Sequence, residues 1–369
     1  MAMSKAEYLA QEIIIDILSR LPAKSIGQFR CVSKQWLNFL SDPQFIKFHH
    51  IIHSHKEESK LIFVSSSGAL HTITFNQNPQ NGTTNAISRK LNFPQLSHSW
   101  EKVVGSCNGL VLVENTENIK YLINPTTLEY HRIPNFHLAL TVPGSFSMCG
   151  LGYDFASNDY KVVTLSRYKR DLDNIFVDVY SVRMDLWRRH GKLPVDHGVP
   201  IGGSGVLVNG ALHWLARKSP DYSSVIVAFD LNDETFLELP VPNALDDNNF
   251  VLCDLVAFRG CLCMLLNDTE ENKIEFWMMK RYGVEESWTK FRIAGLDLVH
   301  GLVPFCSISD DDVVLNVDRE NLIVYNMKED QWRDMKVGGI TAKFERTRSF
   351  MESLVSPMLG KVIEGYDIA

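Results

Sequence analysis

Residues 123–134 read INPTTLEYHRIP, and residues 229–240 read FDLNDETFLELP. In each segment an apolar residue (Ile123, Phe229) is followed seven positions later by an aromatic one (Tyr130, Phe236) and eleven positions later by a proline (Pro134, Pro240). Working outward, Tyr180 to Trp187 and Tyr325 to Trp332 repeat the seven-residue step, and Trp277 to Trp288 is the same unit with four more residues. The anchors Ile123, Tyr180, Phe229, Trp277 and Tyr325 are 57, 49, 48 and 48 residues apart, and a further step of 48 back from Ile123 reaches Phe75. A repeat of this length built from short strands predicts a β-propeller of about six blades, each a four-stranded antiparallel sheet.

The surrounding sequence fits that reading. Asn81-Gly82, Asn108-Gly109, Asn209-Gly210 and Arg259-Gly260 are turn signals between apolar runs of four to seven residues. The tight hairpin is expected early in each blade and the anchor-bearing strand later. Runs such as LVLV at 110–113 and VIVA at 225–228 lack polar alternation, so both of their faces should be covered by neighbouring blades. Tyr180, Trp187, Phe229, Trp277, Trp288 and Trp332 are therefore expected to pack between blades rather than to meet a ligand. The segment from Phe350 to Val355 is expected to pair into the first blade and close the ring.

The start of the chain is of another kind. Ile13, Ile14, Ile17, Leu18 and Leu21 share one helical face. Pro22 should end that helix. A second short helix presents Ile26 and Phe29. A third is capped by Ser33 and presents Trp36, Leu37 and Leu40. Asp42-Pro43 starts a fourth, with Asp as cap and Pro at the first helical position. Helices of two or three turns carrying this many apolar side chains are marginal alone. Their surplus surface either packs on the rest of the chain or docks another molecule.

The 369 residues are 45% hydrophobic and 22% charged, with net charge −7. No block of like charge suits a phosphate backbone, which argues against nucleic-acid binding. Seven cysteines without a CxxC pair, and no signal peptide, suggest a reducing compartment. No stretch approaches the roughly 18 apolar residues of a membrane span. Cytoplasm and nucleus are the expected locations.

The helical segment resembles the F-box, the adaptor-binding motif of SCF-type ubiquitin ligases. The residues that carry the resemblance are Leu9, Ile13-Ile14, Ile17-Leu18, Arg20-Leu21-Pro22, Phe29 to Lys34, Trp36, Asp42-Pro43 and Phe45. Ala10 stands where the family has an opening proline, which should loosen the start of the first helix and weaken docking. The remainder is similar to the F-box-associated domain of plant F-box proteins. The matching segments are Gly152-Tyr153-Asp154, Asp159 to Val163, Asn209 to Trp214, Ala228-Phe229-Asp230, Val284 to Lys290 and Glu352-Ser353-Leu354. Together the halves look like an F-box/kelch-repeat protein, similar to the constitutive-expresser-of-pathogenesis-related-genes branch. The S-locus branch, which recognises pistil ribonucleases, shares the motifs.

That resemblance implies an α+β multidomain chain: an F-box over residues 5–50, a linker over 51–60, a propeller over 61–338 and a C-terminal segment over 339–369. It implies a non-catalytic substrate receptor, with a Skp-family adaptor, through it a cullin, and a protein substrate as partners, turnover of immune receptors as the setting, and no cofactor. Leu9, Ile14, Leu18, Leu21, Pro22, Ile26, Val32 and Trp36 are the expected adaptor-binding residues or their immediate support. For the substrate, the charged turns Arg167-Tyr168-Lys169-Arg170 and Lys280-Arg281-Tyr282 are the candidates, because tyrosine and arginine make interface hot spots and loops on one rim form a joint surface. The rivals are a non-degradative scaffold and a propeller enzyme with a helical cap.

Groups able to carry chemistry are few. His49, His50, His53 and His55 cluster at what should be the exposed end of the fourth helix, without a cysteine or carboxylate at metal-binding spacing. Cys261 and Cys263, with Cys253 nearby, read as free thiols on an apolar strand. Asp310-Asp311-Asp312 reads as a hairpin turn. Gly202-Gly203-Ser204-Gly205 lacks the helix and lysine of a phosphate loop. No metal site and no nucleophile–base pair is expected.

Overall fold

Four short helices open the computed structural model: α1 (Gln11–Ser19), α2 (Ala23–Phe29), α3 (Lys34–Leu40) and α4 (Pro43–Ser54). The structure describes residues 11–54, 60–77, 84–96, 99–135, 146–168, 171–193, 201–217, 224–242, 250–268, 273–291, 302–318, 320–338, 344 and 347–358. Local chemistry sets the helix limits. Pro22 is extended, with φ −56° and ψ 145°, so α1 cannot run through it. Ser33 leaves the helical region and its hydroxyl accepts from the Trp36 amide at 3.2 Å, capping α3. The Asp42 carboxylate accepts from the amides of Gln44 (2.8 Å) and Phe45 (3.3 Å), and Pro43 fills the first position of α4, where no amide is needed.

Strands follow. The first unit holds β1 (Lys60–Val64), β2 (Leu70–Gln77) and β3 (Thr84–Lys90). The second holds β4 (Trp100–Cys107), β5 (Leu110–Asn115), β6 (Lys120–Ile123) and β7 (Tyr130–Arg132). The third holds β8 (Phe146–Asp154), β9 (Asp159–Tyr168), β10 (Asp171–Ser181) and β11 (Leu186–Lys192). The fourth holds β12 (Ile201–Val208), β13 (Ala211–Arg217), β14 (Ser224–Asp230) and β15 (Phe236–Leu239). The fifth holds β16 (Phe250–Phe258), β17 (Cys261–Asp268), β18 (Lys273–Met279) and β19 (Trp288–Phe291). The sixth holds β20 (Leu302–Ser307), β21 (Asp312–Val317), β22 (Asn321–Asn326) and β23 (Gln331–Gly338), and β24 (Arg348–Phe350) follows.

Units two to five are separate four-stranded meanders. The remaining strands form one eight-stranded sheet, in the order β20-β21-β22-β23-β3-β2-β1-β24. It divides at a short parallel pairing of β23 with β3, leaving β20–β23 as one blade and β24-β1-β2-β3 as another. The chain's late strand β24 thus completes its first blade, pairing antiparallel with β1 from Lys60 opposite Phe350 to Ile62 opposite Arg348. The strands β4, β8, β12, β16, β20 and β24 touch in succession, and β24 touches β4, so the circuit closes.

The seven-residue step has a local cause. Ile123 lies opposite Tyr130, Tyr180 opposite Trp187, Phe229 opposite Phe236 and Tyr325 opposite Trp332, each pair flanking the turn between a blade's third and fourth strands. In three of these turns the residue after the anchor accepts backbone amides with its side chain: Asn124 from Thr126 and Thr127, Asp230 from Asn232 and Asp233, Asn326 from Lys328 and Glu329. Five residues after the anchor the backbone turns left-handed, at Leu128, Asp185, Glu234 and Asp330. The proline also has a role. Trp187 Nε1 donates to the Pro134 carbonyl at 2.6 Å and Trp288 Nε1 to the Pro240 carbonyl at 3.0 Å, so an outer-strand tryptophan is tied to the preceding blade.

Two anchors depart from expectation. In the fifth blade Trp288 lies opposite Met279, not Trp277, because the turn is lengthened by a 3-10 segment at Glu285–Ser287. Trp332 is 40% exposed and is not a seam residue. The early tight hairpins match the turn signals: Asn108-Gly109, Asn209-Gly210 and Arg259-Gly260 all have positive φ at both positions, as a type I′ turn requires. Asn81-Gly82 lies outside the described residues.

Apolar burial follows the seams. Val163, Val177, Trp214 and Phe229 fill the seam of blades three and four, and Leu215, Leu255, Met264 and Trp288 fill the next. Leu110 and Leu112 face blade three while Val111 and Val113 face blade one, which is why that run has no polar alternation. Gly205, in the glycine-rich run now seen inside β12, is held by close approach: a Cβ there would sit 2.6 Å from the Trp214 ring.

The helical hook does not finish its own core. Leu18, Ala23, Ile26, Leu40 and Phe45 are buried together with Leu354, from beyond β24. Around that contact Lys60 pairs with Glu352, and Asn124 Nδ2 donates to the carbonyls of Ser353 (3.0 Å) and Val355 (2.8 Å). His50 bonds Asn108. The hook is therefore seated on blade two through the segment that closes the ring.

Candidate functional site

The expected adaptor residues separate by burial. Leu18 is 4% exposed and Ile26 0%, both filling the hook's core. Ile14, Leu21 and Trp36 are half-buried against that core, Trp36 edge-on to Phe29 at 5.6 Å. Pro22 and Val32 are exposed, and Leu9, like Ala10, lies outside the described residues. Three side chains outside the expected adaptor set, Ile13, Ile17 and Leu37, are also exposed. Ile13 and Ile17 are one turn apart on α1, a spacing that puts both on one face. The signal was present in the periodicity but could not tell an outward isoleucine from an inward one.

The histidine cluster does not sit at an exposed helix end. His49 is buried, its Nε2 lies 2.8 Å from the Leu21 carbonyl, and its ring stacks on His53 at 4.3 Å. His53 Nε2 lies 3.1 Å from the Ser19 carbonyl. Both rings tie α4 to the unfinished carbonyls at the end of α1. Burial, only partly offset by the Leu21 carbonyl, pulls the pKa of His49 down to about 4. His55 lies outside the described residues.

The two substrate candidates do not share a rim. Strands alternate in direction within each meander, so second-to-third turns open on one face of the ring and third-to-fourth turns on the other. Arg167 and Tyr168 end β9 at a second-to-third turn. Lys280, Arg281 and Tyr282 lie in a third-to-fourth turn, between β18 and β19. The hook sits on this second face, beside Asn108 and Glu129. Lys169 and Arg170 lie outside the described residues. Lys280 and Arg281 are exposed, whereas Tyr282 turns inward, its hydroxyl 2.8 Å from His213 Nε2. The other ring nitrogen of His213 lies 3.0 Å from the Val206 carbonyl, and burial lowers the His213 pKa to about 4.

Other polar groups tie turns and neighbouring blades together. Lys161 pairs with Asp154 at 2.7 Å and Glu234 at 2.8 Å and donates to the Leu231 carbonyl at 2.7 Å, joining blades three and four. Asp154 also caps its own hairpin through the amides of Ala156 and Ser157. Asp310 and Asp311 lie in the turn between β20 and β21, with Asp312 opening β21. Cys261 and Cys263 face the same seam. Among the described residues no three histidine, cysteine or carboxylate side chains gather as a metal site, and no helix is long and apolar enough to cross a membrane.

Comparison with known families decides the assignment. Residues 9–48 match the F-box domain, and residues 60–357 match the F-box associated beta propeller domain. The chain belongs to the F-box proteins that carry an F-box associated propeller. It is 31% identical over 363 residues to an F-box/kelch-repeat protein of Arabidopsis thaliana, covering 95% of this chain and 96% of that one. It is 29% identical over 304 residues to F-box protein CPR1 of the same plant, covering 76% and 72%. An F-box implies a Skp-type adaptor, and the two domains together support the general role of an SCF substrate receptor.

Proposed function

We propose that this F-box protein is the substrate-recognition subunit of an SCF-type ubiquitin ligase. The hook docks a Skp-family adaptor and, through it, a cullin, while the propeller holds a protein substrate for ubiquitination. The observation that carries the reading is that the hook leaves large apolar side chains exposed, among them Ile13, Ile17, Val32 and Leu37. Leu354 completes the hook's core without them, so these side chains are surplus to the fold. The chain makes and breaks no bonds. It raises the effective concentration of a substrate lysine near a charged ubiquitin-conjugating enzyme.

The substrate is read as binding the face that carries Arg167, because the hook and its adaptor occupy the other. Turnover of immune receptors, in cytoplasm and nucleus, is the setting we attach to this reading, on the resemblance of the chain to its plant relatives. Co-purification tests the docking half. Wild type should bring down the adaptor and cullin, and Ile17→Asp and Val32→Asp should lose them while still folding, since both positions are exposed. Wild type without adaptor, or both variants binding as wild type does, would sink it. Deleting residues 1–50 should lengthen substrate half-life, and an unchanged half-life would favour a scaffold.

A further inference from the structure

The inner strands of the ring enclose a cavity of about 90 Å³. That is room for several waters. Its wall is mostly backbone at Gly105 and Gly205 and apolar side chains such as Leu151, Val256 and Phe305. Arg348, the first residue of β24, is the one charged residue among the described residues of the lining.

A guanidinium has five N–H donors in a planar fork and keeps its charge at any ordinary pH. Here Nη1 donates to the Thr347 carbonyl at 3.0 Å. Burial works against the charge and pulls the pKa below the usual arginine value, with Asp254 opposing that pull. Asp254 Oδ1 is itself engaged by the Leu255 amide at 2.9 Å. It offsets the arginine's charge without filling the fork. Arg348 stays half-exposed to the cavity, and among the described residues the Thr347 carbonyl is the one acceptor that its guanidinium meets, so its remaining donors face the cavity and are open to an incoming acceptor.

We infer that the axial cavity binds a compact oxyanion, a carboxylate or a phosphate group, gripped by Arg348 through paired N–H···O bonds. This site is separate from the adaptor surface and does not depend on the ligase reading. An oxyanion held there engages β24, the strand with which the chain closes the ring.

The test uses the full chain. Inorganic phosphate and acetate are titrated at constant ionic strength against a chloride control, and the melting temperature is followed. A saturable rise is expected in wild type. It should vanish in Arg348→Met and need roughly tenfold more anion in Arg348→Lys, whose point charge lacks the fork. The tighter of the two anions identifies the source as phosphate or carboxylate. A wild type that responds no differently from the chloride control, or a rise that survives in Arg348→Met, overturns the site. Should Arg348→Met fail to fold, phosphorus NMR of phosphate with wild-type chain decides instead. Broadening that saturates supports the site, and broadening that grows without limit overturns it.

Discussion

In the ring, Tyr180, Phe229 and Phe63 are fully buried in seams whose two walls both belong to the propeller. In the hook, Leu18, Ile26 and Leu40 are buried, yet Ile13, Ile17, Val32 and Leu37 remain between 46% and 66% exposed. Both regions are rich in apolar side chains. They differ in who supplies the second wall. A ring supplies it by repetition, each blade covering the next. Four short helices cannot, and the hook takes one buried side chain from the propeller's tail while leaving another surface for a partner. Surplus apolar surface is therefore informative only after the intramolecular contacts have been subtracted.

The sharpest way to break this contrast is to damage a seam. Phe229→Ala should cost about 3–5 kcal/mol in denaturant unfolding, because a closed ring has little room to collapse around the void. A loss below about 1 kcal/mol would mean that the seams are loosely filled. Leu354→Ala should cost about 2–4 kcal/mol, and the loss should appear in the helices. Hydrogen exchange should rise in α1 and α4 and stay unchanged in β12–β15. Equal loosening of both regions would show that hook and ring unfold as one.

Acid sharpens the contrast in another way. His49 in the hook and His213 in the ring both have folded pKa values of about 4, against 6.5 for a free histidine. The unfolded chain therefore takes up protons that the fold refuses. The stabilisation is complete above pH 6.5 and is lost as pH falls toward 4, by up to about 2–3 kcal/mol per group. The denaturation midpoint should drop across that window, and His213→Gln should flatten the slope. A slope unchanged by that substitution would rule His213 out as a source. The smallest effect is local. Asp42→Ala should destabilise α4 by about 1 kcal/mol, read by hydrogen exchange at its first turn.

Much of the ring was legible because its signals are short-range. The seven-residue step is one hairpin, its turn fixed by Asn124 or Asp230 and its register by the residues directly opposite. Trp277 misled because the inserted 3-10 segment shifts the register by two residues, and spacing alone cannot locate an insertion within a turn. The ends of α1, α3 and α4 were legible from Pro22, Ser33 and Asp42 for the same reason. Long-range facts were not. That His49 faces the Leu21 carbonyl, that Tyr282 turns in to His213, and that Leu354 enters the hook all depend on residues far apart in the chain. The two charged turns were read as one surface because sequence counts turns without saying to which face each belongs.

Leu354 sets an order in time. Strand β24 and the hook's last buried side chain lie within seven residues of each other, after every other strand of the ring. A chain still on the ribosome and short of Arg348 has an open ring and an incomplete hook, however long its helices have existed. A truncated product that lacks residues 348–354 would lose the closing strand of the ring and the last buried side chain of the hook together.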